Sequence, residues 1–144
     1  MTAPELLSRT ALAVFRVHGQ FLELSENLAR PVGLTAARWQ VLGAILPEPL
    51  PVSGIARAMG LTRQGVQRIA DLLVEQGLAE YRPNPAHQRA KLVAVTEEGR
   101  AAMRRIRPAH GEFAQRLADK LGEERFAEVA AALEQLIDAM DALT

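Results

Sequence analysis

Between Pro4 and Ala29 the residues Leu7, Ala11, Phe15, His18, Leu22 and Leu28 recur at intervals of three, four and six, interrupted only by Gly19. That spacing predicts one long amphipathic helix whose apolar face includes a histidine. Arg30-Pro31-Val32-Gly33 ends it. Thr35 is placed to cap a second helix with Trp39, Leu42, Ile45 and Leu46 on one face, and the three prolines between Pro47 and Pro51 stop that helix. Two shorter helical segments follow. Ser53 precedes Ile55, Ala56, Ala58 and Met59, closed by Gly60, and Thr62 opens a helix that Gly77 closes in the same way.

Beyond Gly77 the period changes from helical to extended. Leu78 to Arg82 and Arg89 to Val95 flank Pro83-Asn84-Pro85-Ala86-His87-Gln88, which favours a reversal, so a two-stranded hairpin is expected as the main sheet. Thr96 with Glu97 and Glu98 starts another helix, with Pro108 and Gly111 as kink points. The last helix, from about Gly122 to Leu143, carries Phe126, Val129, Leu133, Leu136, Met140 and Leu143 at heptad-like spacing. Fewer than three heptads suit packing against helices of the same chain or of a second copy. The fold class is therefore mainly α with a small β-hairpin wing. Residues 1–33 as an N-terminal helix, 34–100 as short helices with the hairpin and 101–144 as C-terminal helices are expected within one structural domain.

Composition narrows the function. The 144 residues carry 17 bases and 17 acids, so any attraction for a polyanion has to come from charge segregation. Residues 1–52 are neutral, 53–107 hold ten bases against five acids, a net +5, and 108–144 hold three against eight, a net −5. Ending the middle segment at Thr96 still leaves +3. With no cysteine there are no disulfides, thiolate zinc sites or thiol switches. His18, His87 and His110 form no metal-ligand spacing, and no cofactor is expected. No apolar run approaches the roughly 18 residues of a membrane span, and the N-terminus has an acid, Glu5, where a signal peptide wants bases. The expectation is a cytoplasmic protein without a membrane partner. Ser8, Ser25 and Ser53 stand outside any Gly-x-Ser-x-Gly motif, and no phosphate-cradling loop or paired-carboxylate arrangement is present, so no enzyme is expected.

A short helix, a turn at Gly60, a second helix and a basic hairpin follow the order of a winged helix-turn-helix, whose second helix enters the DNA major groove. At about 100° per residue, Val66, Ile69, Ala70 and Leu73 fall on one side of Thr62–Gln76 and Arg63, Gln64, Gln67, Arg68 and Asp71 on the other. Arg and Gln can pair bidentately with guanine and adenine, and Thr62 with the free helix amides can bind phosphate. Arg82, His87, Arg89 and Lys91 supply the cationic hairpin. Double-stranded DNA is the expected partner. A winged-helix module that docks protein without specific DNA binding is the alternative.

Three stretches together resemble the MarR-type transcriptional regulators (multiple antibiotic resistance regulators). Leu34-Thr-Ala-Ala-Arg-Trp-Gln-Val-Leu42 is similar to that family's second helix, and Ile55 through Leu78 to its helix-turn-helix. Val93-Ala-Val-Thr-Glu-Glu-Gly-Arg100 is similar to the end of its wing and the start of the next helix. The resemblance implies a homodimer reading a pseudo-palindrome, and a repressor released by a small phenolic or anionic ligand. It places that ligand near Phe15, Arg16, His18, Arg38 and Trp39, and Arg89 in the minor groove. The dimerisation residues would be Leu7, Phe15 and Leu22 with Phe126, Leu133 and Met140, although these suit a monomer core equally. Two positions depart from the family pattern. The wing has His87-Gln88-Arg89 where Asp-x-Arg is usual, so either another acid orients Arg89 or the wing is looser. Gly65 replaces a usual hydroxyl residue, which predicts a weakened first turn of the recognition helix.

Overall fold

The computed structural model describes residues 1–144. Helix α1, Ala3–Ala29, starts from a reciprocal cap: the Glu5 amide donates to Thr2 Oγ1 at 3.3 Å and the Thr2 amide to Glu5 Oε2 at 2.8 Å. One 3-10 turn at Arg30–Val32, followed by Gly33 at φ 79°, ends it. Helix α2, Ala36–Ile45, is capped by Thr35, whose Oγ1 accepts from the Arg38 amide at 3.2 Å. A second acceptor comes from α1. Glu26 Oε1 takes the Ala36 amide at 2.8 Å, putting a carboxylate at the positive end of α2. Glu26→Ala removes it and is expected to cost about 1 kcal/mol, read as a lower urea midpoint at unchanged slope.

Strand β1 (Leu50–Pro51), helices α3 (Val52–Met59) and α4 (Arg63–Glu75), and strands β2 (Ala79–Arg82) and β3 (Leu92–Val95) follow. The expected hairpin is a three-stranded antiparallel sheet in the order β1-β3-β2. The proline run does end α2, but its last residues then pair with β3, Leu50 opposite Val93 and Pro51 opposite Leu92. Proline has no ladder N–H to offer and is tolerated on such an edge. Central β3 is covered on both sides by pairing, and Val93, Ala94 and Val95 are all buried. It is shorter than expected, since Arg89, Ala90 and Lys91 stay outside it. Helix α3 starts at Val52 with Pro51 in the N-cap position and no side-chain cap, so Ser53 lies inside its first turn, and Ala58 is exposed. Gly60 at φ 66° and Gly77 at φ 79° follow α3 and α4 in the left-handed conformation the sequence predicts.

Helices α5 (Glu97–Leu121) and α6 (Glu123–Leu143) complete the chain, α5 running on through Pro108 and Gly111. Helical structure therefore dominates, with one small sheet, as the sequence implies.

Packing divides the chain into two compact units, Met1–Ile106 and Arg107–Thr144. The core lies in the first, built from Val41, Leu42 and Ile45 of α2, Ile55 of α3, Val66 and Leu73 of α4, Val93 of β3 and Ile106 of α5. Trp39 and Ile69, expected on core faces, are half-buried against it, as is Val74. The expected apolar face of α1 is mostly bare: Leu7 is 68% exposed, Phe15 71% and Leu22 38%, with His18 exposed among them. In the second unit Phe126 and Leu136 are half-buried, whereas Val129, Leu133, Ile137 and Met140 are exposed. The bare stripe on α6 thus includes Ile137, outside the expected seam. No helix is long and apolar enough to cross a membrane.

Candidate nucleic-acid interface

Helix α4 is helical from Arg63, with Thr62 Oγ1 accepting from the Gly65 amide at 3.0 Å. The weakened first turn expected from Gly65 is not seen. A Cβ at that position would stand 2.9 Å from the capping hydroxyl, so the missing side chain leaves room for the cap. The two faces divide as the helical period predicts. Val66, Ala70 and Leu73 are buried, while Arg63, Gln64, Gln67, Arg68 and Asp71 are exposed.

Two open grooves flank that exposed face. One of about 690 Å³ is lined by Arg63, Gln64 and Gln67 of α4, by Tyr81, His87, Arg89, Ala90 and Lys91, and by Pro51, Val52 and Ser53. Three cations and no carboxylate line it. The other, about 610 Å³, is lined by Thr62, Gln64, Gly65, Gln67, Arg68 and Asp71. Gln64 and Gln67 line both grooves and so form the ridge between them. The reversal is a series of turns in which the Ala86 amide donates to Asn84 Oδ1 at 3.0 Å and the His87 amide to Asn84 O at 3.2 Å. His87 and Arg89 stand exposed on those turns.

Arg82 does not join this cluster. Tyr81 points inward from β2 while Glu80 and Arg82 face out, and Arg82 Nε and Nη2 both donate to Glu80 Oε1, at 2.9 and 2.8 Å. A second ion pair joins Arg104 to Glu97. Arg63, Arg68, Arg89 and Lys91 are therefore in no ion pair, and no acid replaces the missing wing Asp beside Arg89. Such uncompensated charge on one face favours a polyanion.

The sequence reading missed what holds Gln67. Its Nε2 donates to Asp71 Oδ1 and to Tyr81 Oη, each at 3.0 Å, and the Tyr81 hydroxyl donates to Asp71 Oδ1. Burial first, then the hydrogen bond and negative charge of Asp71, pushes the Tyr81 phenol up to about 12. Lys91 Nζ lies 5.9 Å from the centre of the Tyr81 ring, joining strand and wing. The Gln67–Asp71 spacing of four residues is visible in sequence, but that of the single tyrosine is not. Of the residues expected near a ligand, Phe15, Arg16 and His18 are exposed on α1, and Arg38 and Trp39 half-buried on α2. Arg38 Nη1 donates to Gln76 Oε1 at 3.2 Å, at the C-terminal cap of α4.

A helix-turn-helix whose capped second helix exposes Arg63 and Arg68, with an adjoining β wing, defines the winged-helix class of DNA-binding fold. A family model described as the MarR family matches residues 32–90. An uncharacterized protein of Mycobacterium tuberculosis is 37% identical over 136 residues, covering 94% of this chain and 95% of its own. The HTH-type transcriptional repressor IacR of Pseudomonas putida is 28% identical, covering 89% of this chain and 77% of its own. Among solved structures, CouR from Rhodococcus jostii RHA1 bound to p-coumaroyl-CoA is 27% identical with a TM-score of 0.73, covering 88% of this chain and 90% of its own. CouR described as a transcriptional repressor bound to a 23-mer DNA duplex superposes at 0.78 with 24% identity, over 95% of this chain and 98% of that one. The chain belongs to the MarR family. It is a transcriptional regulator and not an enzyme.

Proposed function

We propose that this regulator is a homodimer that reads a pseudo-palindromic operator and represses until a small phenolic or anionic ligand releases it. The observation that carries the DNA reading is the groove where Arg63, Arg89 and Lys91 converge with no carboxylate among them. Arg63, Gln64, Gln67 and Arg68 face base edges from the first turns of α4, and Thr62 with the helix amides takes a phosphate. His87 and Lys91 follow the backbone, while Arg89 enters an A·T-rich minor groove. CouR, which shares the fold, is described as bound to a 23-mer DNA duplex, in keeping with DNA as the partner.

Dimerisation rests on the bare stripes of Leu7, Phe15 and Leu22 on α1 and of Leu133 and Met140 on α6, continued by half-buried Phe126. A twofold pair would place its two α4 helices roughly 34 to 36 Å apart, one helical turn of DNA. For release, an anion taken by Arg38 competes with Gln76 at the end of α4, with Trp39 beside it and Phe15, Arg16 and His18 completing the site from α1. The p-coumaroyl-CoA of CouR supports the ligand class, and the names of CouR and IacR support repression.

Selection of bound duplexes from a random pool tests the reading: enrichment of a symmetric site with half-sites about one turn apart supports it, and a pool with nothing enriched overturns it. On the enriched site, Arg89→Ala is expected to weaken binding about tenfold, mainly where the flanks are A·T-rich. Arg82→Ala, already paired with Glu80, is expected to change affinity less than about twofold. Filter binding across a salt series checks both.

A further inference from the structure

We propose that Tyr81, a residue of strand β2, sets base specificity at Gln67 by holding its carboxamide, together with Asp71, in one orientation before DNA arrives. The inference rests on the DNA-reading function proposed above. Chemistry fixes which end of the amide faces the pair. A carboxylate only accepts, and the single Tyr81 hydroxyl proton goes to Asp71, so the phenol oxygen can only accept from Gln67. The group facing both must therefore be Nε2. Because the two accepting oxygens are in contact with each other, they subtend a narrow angle at Nε2 and share one of its N–H groups. Gln67 Oε1 and the second N–H remain uncommitted.

One acceptor and one donor are what a glutamine needs to recognise adenine in the major groove. Gln67 is exposed and lies on the ridge between the two grooves, where a base edge would meet it. A free glutamine surrenders rotamer freedom on docking, and one already held has less to surrender. Tyr81 reaches from the strand that leads into the wing, so it ties wing placement to the orientation of a base-reading side chain on α4. With the phenol pushed up to about 12, its proton stays on throughout the neutral range, and the hold is lost only as pH rises through that value. Tyr81 is thus a positioning residue, acting on DNA through Gln67.

The test compares wild type, Tyr81→Phe, Gln67→Ala and the double variant on the pool-derived operator and its single-base-pair variants at fixed salt. Tyr81→Phe is expected to flatten preference about three- to tenfold at one base pair per half-site, the size of one lost hydrogen bond. Other positions and the salt slope should stay as in wild type, and the change should add nothing in the Gln67→Ala background. Asp71→Ala, an exposed change on α4, should flatten the same base pair and serves if Tyr81→Phe does not fold. An equal loss at every base pair, a loss that persists without Gln67, or unchanged preference overturns the inference while leaving DNA reading intact. A wild type that enriches no duplex overturns both.

Discussion

Gly99→Ala is expected to lower folding stability by about 3 kcal/mol, which for a chain of this size is a fall of roughly 8 °C in Tm. A Cβ on residue 99 would lie 2.2 Å from the Leu78 carbonyl oxygen and 2.8 Å from Val95 Cγ2. Neither can give way cheaply. The Leu78 carbonyl already accepts the Thr96 amide at 3.1 Å, and Thr96 Oγ1 donates to Gly77 O at 2.7 Å while accepting from the Gly99 amide at 3.1 Å. This knot joins the base of the sheet to the start of α5, so a methyl group has to push helix and strand apart. Alanine's better helix propensity returns at most about 1 kcal/mol. The same substitution at Gly111, in the same helix with nothing within 4 Å of its Cβ position, is expected to raise stability by up to that amount. Urea unfolding of the two variants at one protein concentration measures the contrast, the fixed concentration removing any contribution from self-association. If Gly99→Ala unfolds within about 0.5 kcal/mol of wild type, α5 does not begin against the Leu78 carbonyl.

That knot also shows where sequence reading stops. Thr96 followed by two acids announces a helix start, because caps and first-turn carboxylates are local signals. The need for glycine at 99 comes from a carbonyl of the neighbouring segment, which no local period reveals. The same division runs through the molecule. Thr35, Gly60, Thr62 and Gly77 mark their boundaries, and the helical period separates the exposed face of α4 from Val66, Ala70 and Leu73. Leu50–Pro51 read only as a helix stop, since a two-residue strand exists through its partner, β3. Arg82 belonged to a basic hairpin by sequence, yet strand alternation turns it away from Tyr81 and onto Glu80. Arg89 and Lys91 belong to a strand by sequence pattern, yet both lie outside it because the ladder ends at Leu92. On α1 the helical period defines an apolar stripe that includes His18, but what covers such a stripe is not local, and in the single chain it is mostly bare. Gln67, read as free to meet a base, is held from two directions, one by its own helix and one by a strand fourteen residues on.

Replacing both Ile137 and Met140 with glutamate is expected to turn the proposed dimer into a monomer and to weaken operator binding at least about 100-fold. Both residues are more than half exposed in the single chain, 58% and 54%, so the charges disturb little of its own packing. Glutamate is also a good helix former, and α6 should keep its helical content. Across a twofold interface the two side chains meet their copies or other apolar residues, and an unpaired charge buried there costs several kcal/mol. The loss on DNA then follows without any altered contact to a base. A single chain brings one α4, whereas a dimer that has docked one half-site holds its second helix beside the other at high effective concentration. Sedimentation should show the mass fall from twice 15.7 kDa to that of one chain, while circular dichroism stays unchanged. Met140→Leu, which keeps the surface apolar, should remain dimeric and bind as wild type. A double glutamate variant that still sediments as a dimer removes the α6 stripe from the interface. One that is monomeric and binds the full operator undiminished removes the dimer from DNA reading, because each α4 would then dock independently of a second copy.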